Sequence, residues 1–203
     1  VSPHVEVMLR SLDESVGEIV ESLRKNDLLD NTLIVFTSDN GGYLNYPPRF
    51  ENISSNGIYR GQKTEVYEGG HRVPLIVSWA GKISPGKTDA LVHSNDWMPT
   101  LLELSGTDFV DTDGVNLMPH LLHNAPIPER TLYWRTRSAW ALRQGPWKLC
   151  ALREQRELYH LETDPSEKSN LAKENPSVVK KLEQDWRAWN QIMEQSAAEF
   201  LTP

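Results

Sequence analysis

The most informative run of the sequence is Thr32-Leu33-Ile34-Val35-Phe36-Thr37-Ser38-Asp39-Asn40-Gly41-Gly42. Its β-branched and aromatic residues, cut off by polar residues and glycine, predict a buried strand that enters a loop. In open α/β sheets, ligand groups collect just beyond the carboxyl ends of the strands. Asp39 and Asn40 occupy that position and carry the hard oxygen atoms that Ca²⁺ or Mg²⁺ prefers. The same residues are common in ordinary turns, so this run alone leaves a metal site and a plain turn equally open.

Composition and charge exclude several classes of protein. The 203 residues are 38% apolar and 24% charged, which is typical of a globular protein with a substantial core. The formal charge of −7 provides no overall basic field, so nucleic acid is not an expected partner. The sequence contains no run of about 18 apolar residues, so no membrane span is predicted. The single cysteine, Cys150, excludes an internal disulfide.

The first part of the chain has the pattern of an α/β protein. It starts with Val1 rather than Met, so we expect a processed product or a piece of a longer protein. A helix is predicted from Ser2-Pro3 to near Asn26, with one apolar stripe. Helix, short turn and strand form half of a βαβ unit, which implies a preceding parallel strand outside this chain. A second buried strand is predicted at 75–79, followed by a helix that Asp96 caps.

The composition changes near residue 126, where prolines indicate a linker. Four short strands are then predicted at 131–135, 139–143, 147–152 and 157–161. Asn175-Pro176 opens a final helix with apolar residues at helical spacing. The fold class is therefore α/β, with residues 1–125 as part of an α/β domain and residues 126–203 as a small α+β subdomain. That subdomain is predicted to be an antiparallel sheet with one C-terminal helix.

Several motifs resemble those of a known family. The first run ends in Ser-Asp-Asn-Gly-Gly, and a long polar loop at 43–62 leads to Arg60-Gly61-Gln62-Lys63 and then to Glu68-Gly69-Gly70-His71-Arg72-Val73-Pro74. These motifs resemble the formylglycine-dependent sulfatases, which are members of the alkaline-phosphatase superfamily. The resemblance continues, in the family's order, in Asp96-Trp97-Met98-Pro99-Thr100, Asp113-Gly114-Val115, Gly145-Pro146-Trp147-Lys148-Leu149, Glu157-Leu158-Tyr159-His160-Leu161 and Asp164-Pro165-Ser166-Glu167.

The resemblance implies specific roles for a few residues. It implies the C-terminal part of an alkaline-phosphatase-like α/β sandwich, with Asp39 and Asn40 as two ligands of an active-site Ca²⁺. It also implies that Lys63 contacts the sulfate of the substrate, a sulfated small molecule or carbohydrate. A divalent cation and a fixed ammonium would stabilise the negative charge that develops on a sulfate ester. Arg60 is a weaker substrate-binding candidate, because a structural ion pair explains it equally well.

Other residues favour structural readings. Glu68-Gly69-Gly70 predicts a tight turn, His71 a packing or hydrogen-bonded residue, and Cys150 a buried small hydrophobe. Most of the tryptophans of the C-terminal part fall at core positions of strands or of the last helix. The loop at 43–59 is the candidate for substrate selectivity.

The chain lacks the family's nucleophile motif. In such sulfatases a cysteine or serine in a C/S-x-P-x-R sequence becomes formylglycine, and Ca²⁺ requires about six to eight oxygen ligands. We therefore expect a C-terminal sulfatase portion that is inactive alone, with a periplasmic or secreted location implied by the resemblance. The alternatives are a phosphatase or phosphodiesterase of the same superfamily, which would need further Asp and His ligands, and a non-catalytic glycan-binding fragment.

Overall fold

The computed structural model describes residues 3–45, 53–107 and 111–201. The chain forms two compact units. One contains residues 38–74 and everything from residue 130 onward, together with the start of the chain, and the other contains residues 6–37 and 75–129. The last break between the units, at 129/130, lies close to the predicted change at 126. Residues 38–74, however, belong to the same unit as the C-terminal part. The limits of 1–125 and 126–203, which rest on the change in composition, stay a prediction.

The first helix, α1, spans Pro3–Lys25, as its apolar period predicts. Two basic residues, Arg24 and Lys25, lie in its last turn, where they complement the helix dipole. None of the helix residues is buried, and several of its large apolar side chains are exposed, among them Val7, Met8 and Ile19. The predicted cap Ser2 lies outside the described residues.

The two predicted strands exist, but their predicted burial is wrong for this chain. Strand β1 is Ile34–Thr37 and strand β2 is Leu75–Ser78, and they pair antiparallel in a two-stranded sheet. Val35 is 37% exposed and Ile76 is 59% exposed. An apolar run predicts a strand that something covers, whereas no other described strand joins this pair.

Asp96 lies in the segment that precedes a helix, but it does not act as the predicted cap. Helix α3 is Trp97–Ser105, and no side-chain hydrogen bond from Asp96 caps it. The fully buried Asp96 carboxylate instead accepts hydrogen bonds from the backbone N–H groups of His93, at 2.7 Å, and Val115, at 3.0 Å. It thereby joins two loops of this unit. Helix α4, Met118–His123, follows.

The C-terminal part forms the predicted α+β subdomain. Strands β3 (Thr131–Arg135), β4 (Ala139–Gln144), β5 (Trp147–Leu152) and β6 (Gln155–His160) make an antiparallel sheet in the order β3-β4-β5-β6. Helix α5, Pro176–Leu201, covers one face. Leu142, Leu149 and Leu158 pair across neighbouring strands and pack with Leu182 of this helix.

Side chains along a strand alternate between the two faces of a sheet, and the face opposite α5 is partly polar. Ala141, Cys150 and Tyr159 pack there against Val66 and Tyr67. This contact joins the subdomain to the segment that carries the glycine-rich motif. The short helix α2, Glu68–His71, replaces the tight turn that the sequence predicts for Glu68-Gly69-Gly70.

Candidate active site

Asp39 and Asn40 lie in the loop directly after β1, as predicted. The Asp39 side chain is exposed, and Asn40 is partly exposed. Neither side chain forms a hydrogen bond or ion pair within the ranges that the structure describes, whereas neighbouring Ser38 donates its hydroxyl to the Asn40 carbonyl oxygen at 2.9 Å. The loop is therefore held through its backbone, and the described part of the chain leaves the carboxylate and amide oxygens available as ligands.

Gly41 brings the backbone of this loop against helix α2. The Gly41 N–H donates to the Gly70 carbonyl at 3.0 Å. A Cβ atom built on Gly41 would lie 1.8 Å from the Gly69 carbonyl oxygen, which is far inside van der Waals contact. The next residue, Gly42, exchanges hydrogen bonds with the Asn56 side-chain amide at 2.9 and 3.0 Å. Only glycine permits this approach at position 41.

Lys63 lies beside the same loop. Its backbone N–H donates to the Gly42 carbonyl at 3.4 Å, two residues beyond Asn40. Its ammonium lies 5.9 Å from the centroid of the Tyr43 ring and has no carboxylate partner among the residues that the structure describes. The three predicted site residues thus belong to backbone segments that are hydrogen-bonded to each other.

The surroundings of Arg60 are those of a structural ion pair, which the sequence left open as an alternative to substrate binding. Its guanidinium lies 3.8 Å from the Tyr67 ring centroid and donates to the Tyr159 hydroxyl at 2.6 Å and to Glu157 at 3.2 Å. Burial alone would raise the pKa of Glu157, but hydrogen bonds from Tyr159, Tyr67 and Arg60 outweigh it and lower that pKa. Burial and the nearby carboxylate raise the pKa of both tyrosines well above the usual range. An anion contact by Arg60 stays a prediction.

A buried charge cluster lies on the polar face of the four-stranded sheet. The Lys148 side chain is 0% exposed, and its ammonium lies 2.8 Å from carboxylate oxygens of both Glu68 and Glu167. The third neighbour of the ammonium is His71 Nε2, at 3.1 Å, and the His71 ring stacks on Trp134 with centroids 4.1 Å apart. An ammonium has three donors. The two carboxylates accept two of them, and His71 Nε2, which also lies 3.3 Å from the Val66 carbonyl oxygen, accepts the third in the neutral tautomer that carries its proton on Nδ1.

The electrostatics of the cluster favour the ionised forms of Lys148 and Glu68. Burial alone would lower the pKa of Lys148, but the adjacent carboxylates outweigh it and raise that pKa. Burial would raise the pKa of Glu68, but the positive charges of Lys148 and Arg143 outweigh it and lower that pKa. Glu167 has less positive charge around it, so burial prevails and raises its pKa.

Sequence reasoning missed this cluster, although its residues lie in motifs already noted. Lys148 belongs to the Gly-Pro-Trp-Lys-Leu motif, and Glu167 follows Asp164-Pro165-Ser166. A signal existed: Lys148 alternates with Trp147 and Leu149, so it had to face away from the apolar side that α5 covers. The predictions for two neighbours are confirmed. His71 packs in a stack, and Cys150 is buried, which raises the pKa of its thiol to about 12.

The described residues supply only part of a metal site. No cluster of three or more His, Cys, Asp or Glu residues suited to a metal ion occurs among them. Asp39 and Asn40 would provide two of the six to eight oxygen ligands that a Ca²⁺ ion takes. These side-chain oxygens, which no described residue contacts, and the tightly held backbone fit one side of such a site. The described helices also include none long and apolar enough for a bilayer.

Two family models match the chain. A model described as "Sulfatase" matches residues 7–107, and one described as "N-sulphoglucosamine sulphohydrolase, C-terminal" matches residues 58–192. The chain belongs to the sulfatase family. Together the two matches cover the first loop, the glycine-rich motif and the four-stranded sheet, so this chain is a C-terminal sulfatase portion.

Known sulfatases are similar over most of this portion. An N-acetylgalactosamine-6-O-sulfatase of Bacteroides thetaiotaomicron is 32% identical over 201 residues, or 86% of this chain and 39% of that protein. Arylsulfatase A of Homo sapiens is 35% identical over 148 residues, or 69% of this chain and 29% of that protein. The sulfatase portion thus spans about two fifths or less of the length of these relatives.

The fold also matches solved structures. The crystal structure of Ps i-CgsB in complex with k-i-k-neocarrahexaose aligns with a TM-score of 0.77 and 31% identity, over 90% of this chain and 41% of that one. The predicted fold class is confirmed: this sulfatase portion has the mixed α/β architecture of alkaline-phosphatase-like proteins, with antiparallel strands and a C-terminal helix.

Proposed function

We propose that this chain forms part of a sulfuric ester hydrolase that cleaves a sulfate ester to an alcohol and sulfate. The observation that carries the proposal is the loop after β1, where the side-chain oxygens of Asp39 and Asn40 have no hydrogen-bond or ion-pair partner among the described residues. Lys63 supports it, because its backbone is hydrogen-bonded to the same loop and its ammonium lacks a carboxylate partner among the described residues. Family membership supports the same reaction class.

In this proposal, Asp39 and Asn40 hold one side of a Ca²⁺ site. The bound ion supplies positive charge where a sulfate ester develops negative charge. Lys63 contributes a compact ammonium with three donors that can orient the sulfate oxygens. The remaining oxygen ligands and a formylglycine nucleophile belong to sequence outside this chain. The 203 residues alone are therefore expected to bind Ca²⁺ weakly and to lack turnover.

The proposed substrate is a sulfated small molecule or a sulfated carbohydrate. The names of the relatives support the carbohydrate class, since one is an N-acetylgalactosamine-6-O-sulfatase and one solved structure holds k-i-k-neocarrahexaose. This chain has a net charge of −7, so it would attract such an anion locally, through the metal ion and Lys63. Part of the predicted selectivity loop at 43–59 lies outside the described residues. A periplasmic or secreted location belongs to this proposal.

The test compares Asp39→Ala with Asp89→Ala in the intact sulfatase polypeptide. Both positions are exposed loop aspartates, but only Asp39 follows β1. Turnover of 4-methylumbelliferyl sulfate is measured with and without chelator. We expect Asp39→Ala to lower kcat/KM by at least about a hundredfold, because an electrostatic element of the transition state is lost. Asp89→Ala should retain wild-type turnover. Chelator should abolish the turnover of both wild type and Asp89→Ala.

Phosphate esters provide the discriminating control. If the intact protein hydrolyses 4-methylumbelliferyl phosphate faster than the sulfate, the phosphatase alternative replaces the proposal. Wild-type turnover by a folded Asp39→Ala variant would also overturn it. Glycan binding that neither chelator nor Asp39→Ala changes, in a protein without turnover, would favour the glycan-binding alternative.

A further inference from the structure

The buried Lys148 cluster fixes the end of helix α2 that carries Glu68. The Glu68 carboxylate, 1% exposed, receives Lys148 at 2.8 Å and Arg72 at 3.4 Å. The Glu68 backbone N–H donates to Glu167 at 2.7 Å, so one glutamate is held through both its side chain and its main chain. Charge-assisted hydrogen bonds of this kind are short and directional. Helix α2 therefore has one defined position on the sheet.

Helix α2 is in turn the surface against which the proposed metal-binding loop rests. Its second and third residues, Gly69 and Gly70, touch the Gly41 backbone, which directly follows Asn40. Gly69 also donates its N–H to the Arg60 carbonyl at 2.6 Å, close to Lys63 in sequence. A displacement of Glu68 would consequently move the support of both segments that carry predicted site residues.

We infer that Lys148 is a positioning residue for the Asp39-Asn40 loop, acting through Glu68 and the Gly69-Gly70 backbone. The inference rests on the proposed function, since it takes that loop as the metal-binding element. Lys148 is not a catalytic residue, because its ammonium is buried and fully engaged by Glu68, Glu167 and His71. Groups that orient metal-binding elements from behind affect metal affinity even though they do not touch the ion.

A competing explanation is that the cluster only holds the subdomain together. In that case, loss of Lys148 would destabilise the whole unit uniformly and leave the metal affinity of the folded protein intact. The two explanations differ in a property that global stability does not report. That property is the Ca²⁺ affinity of folded protein, together with local exchange of the loop amides.

The experiment uses the intact sulfatase polypeptide and three variants. Lys148→Met removes the ammonium. Lys148→Met alone leaves the buried cluster with one more negative charge than wild type. The double variant Lys148→Met/Glu167→Gln removes that extra charge, so we expect it to fold. Lys181→Met is the matched control, because Lys181 lies on α5 in the same unit, 60% exposed, with a partner in Asp185. Folding is checked by circular dichroism. Ca²⁺ affinity is measured by calorimetry, and amide exchange is followed at residues 38–45 and, for comparison, at residues 155–160.

We expect the folded Lys148 variants to bind Ca²⁺ about tenfold or more weakly than wild type, as for other groups that support metal ligands. Amide exchange should accelerate at residues 38–45 and not at residues 155–160, and Lys181→Met should match wild type. If Lys148→Met does not fold, the double variant decides. Wild-type Ca²⁺ affinity in a folded Lys148 variant, or a uniform rise in exchange, would overturn the inference. Asp39→Ala is measured alongside: if it leaves Ca²⁺ affinity unchanged, the proposed function fails, which is a separate result.

Discussion

At the scale of single residues, Gly41 controls how closely the Asp39-Asn40 loop approaches helix α2. Its Cα lies so near the Gly69 carbonyl that no side chain fits without movement of one backbone or the other. The Gly69 carbonyl group cannot move away through a rotamer change, because it belongs to the main chain. The residue is therefore a sensitive point for the whole candidate site.

Gly41→Ala should weaken the site without a change in charge. The added methyl group must displace backbone, and overpacking of this kind costs about 1–3 kcal/mol of unfolding free energy. The control is Gly86→Ala, a loop glycine whose added Cβ would meet nothing within 4 Å. Urea unfolding of the intact protein and Ca²⁺ calorimetry measure the two effects. Equal stability and equal Ca²⁺ affinity in both variants would contradict the close approach at position 41.

The candidate metal-binding residues of the loop could be predicted from sequence, but the hydrogen-bond partners of polar side chains could not. Asp39 and Asn40 stand out because a polar pair follows an apolar run. The fate of Asp96 shows the limit of such reasoning: its place before a helix predicts a cap, whereas its carboxylate binds two loop N–H groups. More than one backbone N–H group can donate to a carboxylate near the start of a helix, and the tertiary packing determines which of them do so.

At the scale of elements, the four-stranded sheet presents two chemically different faces. The face toward α5 is apolar, with Leu142, Leu149 and Leu158 around Leu182. The stacked pair of Trp140 and Trp186, with centroids 4.2 Å apart, extends this contact. The other face carries the charged cluster that supports helix α2. One sheet thus secures its own helix and also the glycine-rich segment.

Leu182→Ala should detach α5 in part from the sheet. Leu182 is 2% exposed, and truncation of a buried leucine costs about 2–5 kcal/mol of unfolding free energy through lost burial and a residual cavity. Ile192→Ala on the same helix is the control, because Ile192 is 58% exposed and should cost far less. Urea unfolding followed by tryptophan fluorescence measures both. Similar losses for the two variants would contradict the docking of α5 through Leu182.

Element type was largely predictable, because it depends on local period. Helices α1 and α5 and all four strands of the sheet lie where their apolar patterns indicate. Burial of β1 and β2 was not predictable in the same way. A run of apolar residues indicates that a strand favours burial, but burial depends on tertiary packing, and the described residues leave Val35 and Ile76 exposed.

At the scale of the whole molecule, three distant motifs meet in one buried cluster. Glu68, Lys148 and Glu167 are up to 99 positions apart in sequence, and their contacts link the glycine-rich motif to the sheet and to the loop after it. No local pattern predicts such a meeting. The buried cluster explains why these motifs contain charged residues in strands and turns whose other residues have structural roles.

The central claim is that Asp39, Asn40 and Lys63 together form one side of a site for a divalent cation and a sulfate group. The most direct measurement is a crystal structure of the intact sulfatase with Ca²⁺ and sulfate added. We expect a Ca²⁺ ion at about 2.3–2.6 Å from side-chain oxygens of both Asp39 and Asn40. A sulfate oxygen should lie within hydrogen-bond distance of the Lys63 ammonium. A Ca²⁺ ion bound elsewhere, or a sulfate held without Lys63, would contradict the claim.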